Sequence, residues 1–166
     1  MAVKLGEVPR SVMAAPSLLA GGPVPQHPAE LARLPWLALR TFYRDEVCLR
    51  HTQTGEVARF DIQPRLSTDG LYALRKAAVL GLGVGIASAW ALRDELASGQ
   101  LVLLAPDWQA APLPVHLVYA PSRLQPARLR RFIETMREYL PAELCESLKQ
   151  AKAGADPKAR TGQKAK

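Results

Sequence analysis

Apolar residues recur at helical spacing in two stretches of this chain. Leu71, Leu74, Ala77 and Ala78 share one face of a segment that Gly81 stops, and the spacing predicts a helix over Leu71–Leu80. Leu129, Phe132, Ile133, Met136 and Leu140 do the same between Pro126 and Pro141, which predicts a long amphipathic helix over Pro126–Leu140. A third helix is expected over Ala91–Ser98, before Gly99, and a shorter one over Ala142–Lys149. One helical turn fits Pro28–Ala32, with proline at its start.

Short apolar or alternating runs bounded by turn residues predict strands at Ser11–Ala15, Trp36–Leu39, Val47–His51, Val57–Ile62, Leu82–Ala87, Leu101–Leu104 and Val115–Tyr119. Thr54-Gly55 joins the third and fourth of these, and Ala110–Pro114 reads as a loop. Alternating strands and helices imply an α/β domain with a mixed sheet.

Composition narrows the function classes. The chain has 166 residues, 48% of them apolar and 22% charged, enough for a core without metal or disulfide staples. Its two cysteines, Cys48 and Cys145, are far apart, and its three histidines (His27, His51, His116) do not cluster. This spacing offers neither a zinc pattern nor a disulfide framework, so no metal and no cofactor are expected. No apolar run reaches the roughly 20 residues of a membrane helix. Pro16, Ser17 and Glu7 spoil a signal-peptide reading of the first twenty positions, so a cytoplasmic protein is expected.

Net charge is +7, but residues 149–166 hold six bases and one acid. The basic character therefore belongs largely to the end of the chain, which reads as a disordered basic tail over 151–166 rather than as a nucleic-acid face.

Three places could carry chemistry. Gly81-Leu-Gly-Val-Gly85 follows a helix and leads into a strand, whereas a pyrophosphate loop must leave a strand and open a helix. It reads as a tight connection where small residues permit close packing. Neither cysteine has surroundings that favour a thiolate, and no nucleophile–base order stands out, so no catalytic residue is assigned. Ser67-Thr68-Asp69 stands ahead of the helix at Leu71; these residues cap helices, and hydroxyls beside a helix N-terminus also suit an anion.

From Pro64 onward the order of motifs becomes specific. It runs Pro64-Arg-Leu-Ser-Thr-Asp-Gly-Leu71, Lys76-Ala-Ala78, Gly81-Leu-Gly-Val84, Asp94-Glu-Leu-Ala-Ser-Gly-Gln-Leu-Val102 and Pro106-Asp-Trp108. The flanks are Val12-Met-Ala-Ala-Pro-Ser-Leu-Leu19 with Pro28-Ala-Glu-Leu31, then Leu113-Pro-Val-His-Leu-Val-Tyr119 and Arg131-Phe-Ile-Glu134. Over about 3–146 the chain resembles the C-terminal effector-binding region of LysR-type transcriptional regulators.

That resemblance implies a type II periplasmic-binding-protein-like fold, with two α/β lobes joined by two crossover strands and a small effector between them. The expected organisation is a remnant of the first lobe and first crossover over 1–15, an effector-binding second lobe over 16–119, and the second crossover and C-terminal helices over 120–150. The crossovers would lie side by side near Met13–Pro16 and Tyr119–Pro121, and the long helix would pack on the first lobe. The family's winged helix-turn-helix and most of its first lobe would be missing, so DNA would be reached only through an N-terminal domain not in this sequence.

The resemblance also places Ser67, Thr68 and Asp69 at the effector half-site. Ala15 and Pro16 fall where many members present a hydroxyl residue, and Ser88 falls where a proline is usual. Its implied partners are a small effector of the carboxylate or other anionic type, and a second copy in a homo-oligomer. A stand-alone solute-binding lobe and a small α/β enzyme are the alternatives.

Overall fold

The computed structural model describes residues 1–120 and 126–140. The expected helix over Ala142–Lys149, the tail and Pro121 lie outside those residues.

Two long strands form the backbone of the molecule. Strand β1 (Ala2–Ala14) and strand β7 (Val102–Val118) pair antiparallel along almost their whole length. Around them the five-stranded sheet runs β4-β3-β7-β1-β6, with β3 at Glu46–His51, β4 at Val57–Asp61 and β6 at Gly85–Ser88. A second, parallel sheet joins β2 (Trp36–Leu39) to β5 (Pro64–Thr68). The two sheets are spliced at a parallel bridge between Trp36 and Val84, held by Leu37 N–H to Val84 C=O (2.8 Å) and Val84 N–H to Pro35 C=O (2.7 Å).

Helix α1 (Pro28–Leu31) opens on a reciprocal cap between His27 and Glu30. Helix α2 (Leu71–Val79) crosses from β5 to β6 and buries Leu74, Ala77 and Ala78, as the spacing predicts. A 3-10 turn (Ala89–Leu92) and α3 (Arg93–Ala97) follow β6, and α4 spans 127–140. The core lies where β1, β2, β6 and β7 meet, around Val12, Met13, Trp36, Leu37, Leu74 and Leu104.

The glycine segment behaves as a connection. Gly81 has φ +73°, and Gly81 N–H and Leu82 N–H bond back to the carbonyls of Ala78 and Ala77, ending α2. A Cβ at Gly83 would stand 2.7 Å from the Pro35 carbonyl oxygen and 3.0 Å from Leu37, so the splice between the sheets needs glycine there.

Three sequence expectations change. Segment 2–10 belongs to β1, and 110–114 belongs to β7 rather than to a loop. Each strand holds up the other, and their prolines sit beside irregularities: Pro9 falls at the register shift between Val8 and Arg10. Pro64–Thr68 is a strand, with Thr68 at its end rather than at a helix cap.

The crossovers also differ from expectation. Tyr119 N–H donates to Met1 C=O (3.1 Å), while Ala14 pairs with Val102. Tyr119 and Ala14 therefore stand at opposite ends of the β1–β7 ribbon, on the order of 40 Å apart along an extended strand, and not side by side.

Candidate functional site

Strands β2, β5 and β6 run parallel, so their carboxyl ends collect at one edge. Leu39 pairs with Thr68 there, and Ser88 at the end of β6 pairs with Arg10 of β1. Open parallel sheets characteristically hold ligands at this edge.

Thr68 is half-buried, and its Oγ1 accepts from Gly70 N–H at 3.1 Å. Ser67 and Asp69 are exposed. None of the three caps α2: its N-cap is Gly70, with no side-chain hydrogen bond to the first turn. Asp69 is instead held by Arg40, whose Nε lies 3.0 Å from Oδ1. That hydrogen bond holds the Asp69 carboxyl below its ordinary value, and the same contact raises Arg40. Ser88 is half-buried and its Oγ accepts from Ala91 N–H at 3.4 Å, capping the following turn.

Ala15 and Pro16 do not join this group. Met13 pairs with Gly85, so the next residues of the chain lie past the amino end of β6, roughly 15 Å from Ser88 at strand rise. Ala15 is buried, Pro16 is exposed, and the adjoining Ser17 hydroxyl lies against Gly81. The six candidates thus fall on two opposite edges, with Ser67, Thr68, Asp69 and Ser88 on the carboxyl one.

The structure adds residues that the sequence reading passed over. Tyr43 is buried; its hydroxyl donates to Leu37 C=O (2.8 Å) and accepts from Ile86 N–H (2.9 Å), lacing β2 to β6. Burial pushes its pKa up to about 12. Arg10 is only 8% exposed. Its Nε donates to Ala111 C=O at 2.8 Å and its guanidinium lies over the Phe42 ring, 5.2 Å from the centroid. Burial lowers the Arg10 pKa, and Tyr43 partly opposes the shift. The signal for Arg10 was present: a lone cation after Pro9 and directly ahead of an almost wholly apolar run.

A cavity of about 200 Å³ opens beside Arg10, walled by Phe42, Tyr43, Val47 and Ile86. A larger cleft of about 730 Å³ lies against the β3–β4 hairpin, next to Arg50, Arg59 and Gln109. His51 is occupied structurally: its Nδ1 accepts from Gln53 and Thr54 N–H, and its ring meets Trp108 edge-on. Among the described residues there is no group of three or more His, Cys, Asp or Glu placed to hold a metal. Among them, too, no helix is long and apolar enough to cross a membrane.

Comparison with known proteins adds an independent line. Residues 2–141 match the family described as LysR substrate binding domain. The chain is 30% identical over 142 residues to the HTH-type transcriptional regulator PtxR of Pseudomonas aeruginosa, covering 86% of this chain and 45% of that protein. It is 27% identical over 136 residues to the HTH-type transcriptional activator AaeR of Escherichia coli, covering 82% and 44%.

Among solved structures, full-length AphB, a virulence activator of Vibrio cholerae, superposes with TM-score 0.68 at 28% identity over 84% of this chain and 47% of that one. The AphB regulatory domain of Vibrio vulnificus gives TM-score 0.64 at 26% identity, over 84% and 68%. The chain spans less than half the length of the curated relatives it matches. Those relatives are transcriptional regulators rather than enzymes, and the solved neighbours carry the periplasmic-binding-protein-like fold expected from the motifs.

Proposed function

The chain belongs to the LysR substrate-binding-domain family, and on that premise we propose that it binds a small, anionic effector against the carboxyl edge of β2, β5 and β6. The observation that carries this reading is the gathering of Thr68, Ser88 and Arg10 at that one edge, beside the uncapped first turn of α2. Backbone N–H groups at a helix start and two hydroxyls complement a negative group. Arg40, already engaged with Asp69, keeps the corner from repelling it.

In a longer polypeptide of the relatives' size, the effector lies between this lobe and a first lobe. The β1–β7 ribbon carries the chain from one to the other, and the boundary falls at the register shift between Val8 and Arg10. Binding favours one closure of the lobes, and that preference is passed to an N-terminal DNA-binding region in a cytoplasmic homo-oligomer. This chain supplies the ligand contacts of one lobe.

The test is an isotope-labelled sample titrated with small carboxylates, phosphate and sulfate. Saturable amide shifts centred on Thr68–Tyr72 and Ser88–Ala91 are expected, with Thr68→Ala weakening binding about three- to tenfold. Ligands that shift only residues around Ala15–Gly22 would overturn the assignment of the edge.

A further inference from the structure

We propose that strand β4 is an interface between two copies of this chain, its free edge pairing antiparallel with the same edge of a second copy about a twofold axis at Phe60. The contact is independent of the effector reading. β4 and β6 are the outermost strands of the five-stranded sheet, and the effector edge lies with β6.

The hydrogen-bond pattern shows which backbone groups are unused. Ile62 N–H donates to Asp45 C=O (2.6 Å), and His51 N–H donates to Glu56 C=O (2.8 Å). Between these bonds Phe60 pairs with Val47 and Ala58 with Leu49, so every second residue of the strand turns its N–H and C=O toward β3. Those of Val57, Arg59 and Asp61 face outward, and among the described residues β3 is the only strand paired with β4. Exposed edges are ordinarily guarded by proline, a bulge or lysine. β4 has none of these: it pairs with β3 without a register shift, and neither proline nor lysine interrupts Val57–Asp61. The edge strand β5, by contrast, begins on Pro64.

The side chains select one occupant and one register. Outward-facing residues must meet outward-facing residues, so Arg59 can lie opposite Val57, Arg59, Asp61 or Gln63 of a second copy. Arg59 against Arg59 sets like charges face to face, and Arg59 against Gln63 does the same to Asp61 with Asp61. Arg59 against Val57 carries Asp61 past the partner strand to Gly55. The remaining register sets Arg59 against Asp61 and, by symmetry, Asp61 against Arg59. It makes an ion pair on either side of the axis and gives the N–H and C=O groups of both residues a partner.

Both side chains are available for this. Asp61 is exposed and has no ion-pair partner among the described residues, while Arg59 reaches Glu46 only at 3.4 Å with both side chains largely in solvent. On the other face of the strand the axis brings Phe60 against Phe60. In the single chain that ring is half-buried against Trp36, 5.7 Å between centroids, and a second ring would cover its remaining surface. The edge is complementary to itself in charge, apolar surface and hydrogen bonding, which identifies a second copy as its occupant.

Sedimentation and amide hydrogen exchange on the full chain test this at concentrations from about 10 μM to about 1 mM. The expected result is concentration-dependent dimerisation, with exchange at Arg59 and Asp61 slowing as the dimer fills. Ala58 and Phe60, already bonded to β3, should be protected at every concentration. Arg59→Asp and Asp61→Arg each set like charges across the axis and should weaken dimerisation about tenfold or more. Mixed together, the two variants should pair, because each supplies the charge that the other lacks. A chain carrying both changes should dimerise within about threefold of the unaltered one. The exchange pattern of the unaltered chain needs no variant, so a misfolded variant leaves the test intact.

A chain that stays monomeric at about 1 mM overturns the interface. So does dimerisation that leaves Arg59 and Asp61 unprotected, which places the contact on another face, or that neither charge reversal weakens. Protection of those amides that does not vary with concentration means that the same polypeptide covers the edge, and it too overturns pairing between copies.

Discussion

The two ends of the parallel strands are built on opposite principles. At the amino end, Pro35, Gly81, Gly83 and the start of β6 pack so closely that hydrogen is the only side chain the splice admits. At the carboxyl end, Thr68, Asp69 and Ser88 stand partly in solvent, and Arg10 is buried against a cavity. Side chains at the first end are chosen by space. At the second, Thr68, Asp69 and Ser88 lie outside the core cluster. Ala15 and Pro16 sit by the closed end, away from Thr68 and Ser88.

Substitutions sharpen this contrast in graded steps. Trp36 is 1% exposed, its indole N–H donates to Leu31 C=O, and it bridges the sheets beside Val84. Trp36→Ala should cost about 3–5 kcal/mol, read as a lowered denaturation midpoint or a chain that does not fold. Gly83→Ala forces a Cβ toward a backbone carbonyl that cannot swing away, and about 1–3 kcal/mol should be lost. Thr68→Ala at the open end should change stability by less than about 0.5 kcal/mol while still weakening effector binding. A Thr68→Ala variant as unstable as Gly83→Ala would erase the distinction between the two ends.

Much of the closed end was legible in the sequence. Trp36–Leu39 was bounded correctly because an apolar run after Pro35 has few alternatives, and α2 declared itself by spacing and by Gly81. The glycine segment was read as a connection from the order of its neighbours alone. Strands β1 and β7 were read only in fragments. Pro9, Gly6, Pro112 and Pro114 argue locally against strand, and the pairing that overrides them joins residues about a hundred positions apart. β5 was missed because Ser67 and Thr68 carry a helix-cap signature, while the partner that makes them a strand is β2.

At the open end, Thr68 and Ser88 were named from family resemblance, but Arg10, Phe42 and Tyr43 were not. Their meeting depends on the strand register that sets Arg10 against Ser88 and on the hydroxyl bridge from Tyr43 to Ile86, neither of which is written in local sequence.

The tightness at Gly83 has a further consequence over evolutionary time. A scaffold whose joints tolerate no new atoms, yet whose opposite rim leaves residues such as Thr68 and Asp69 outside the core, can exchange its chemical preference one residue at a time. Descendants of such a lobe can diversify in what they recognise while inheriting the same architecture unchanged.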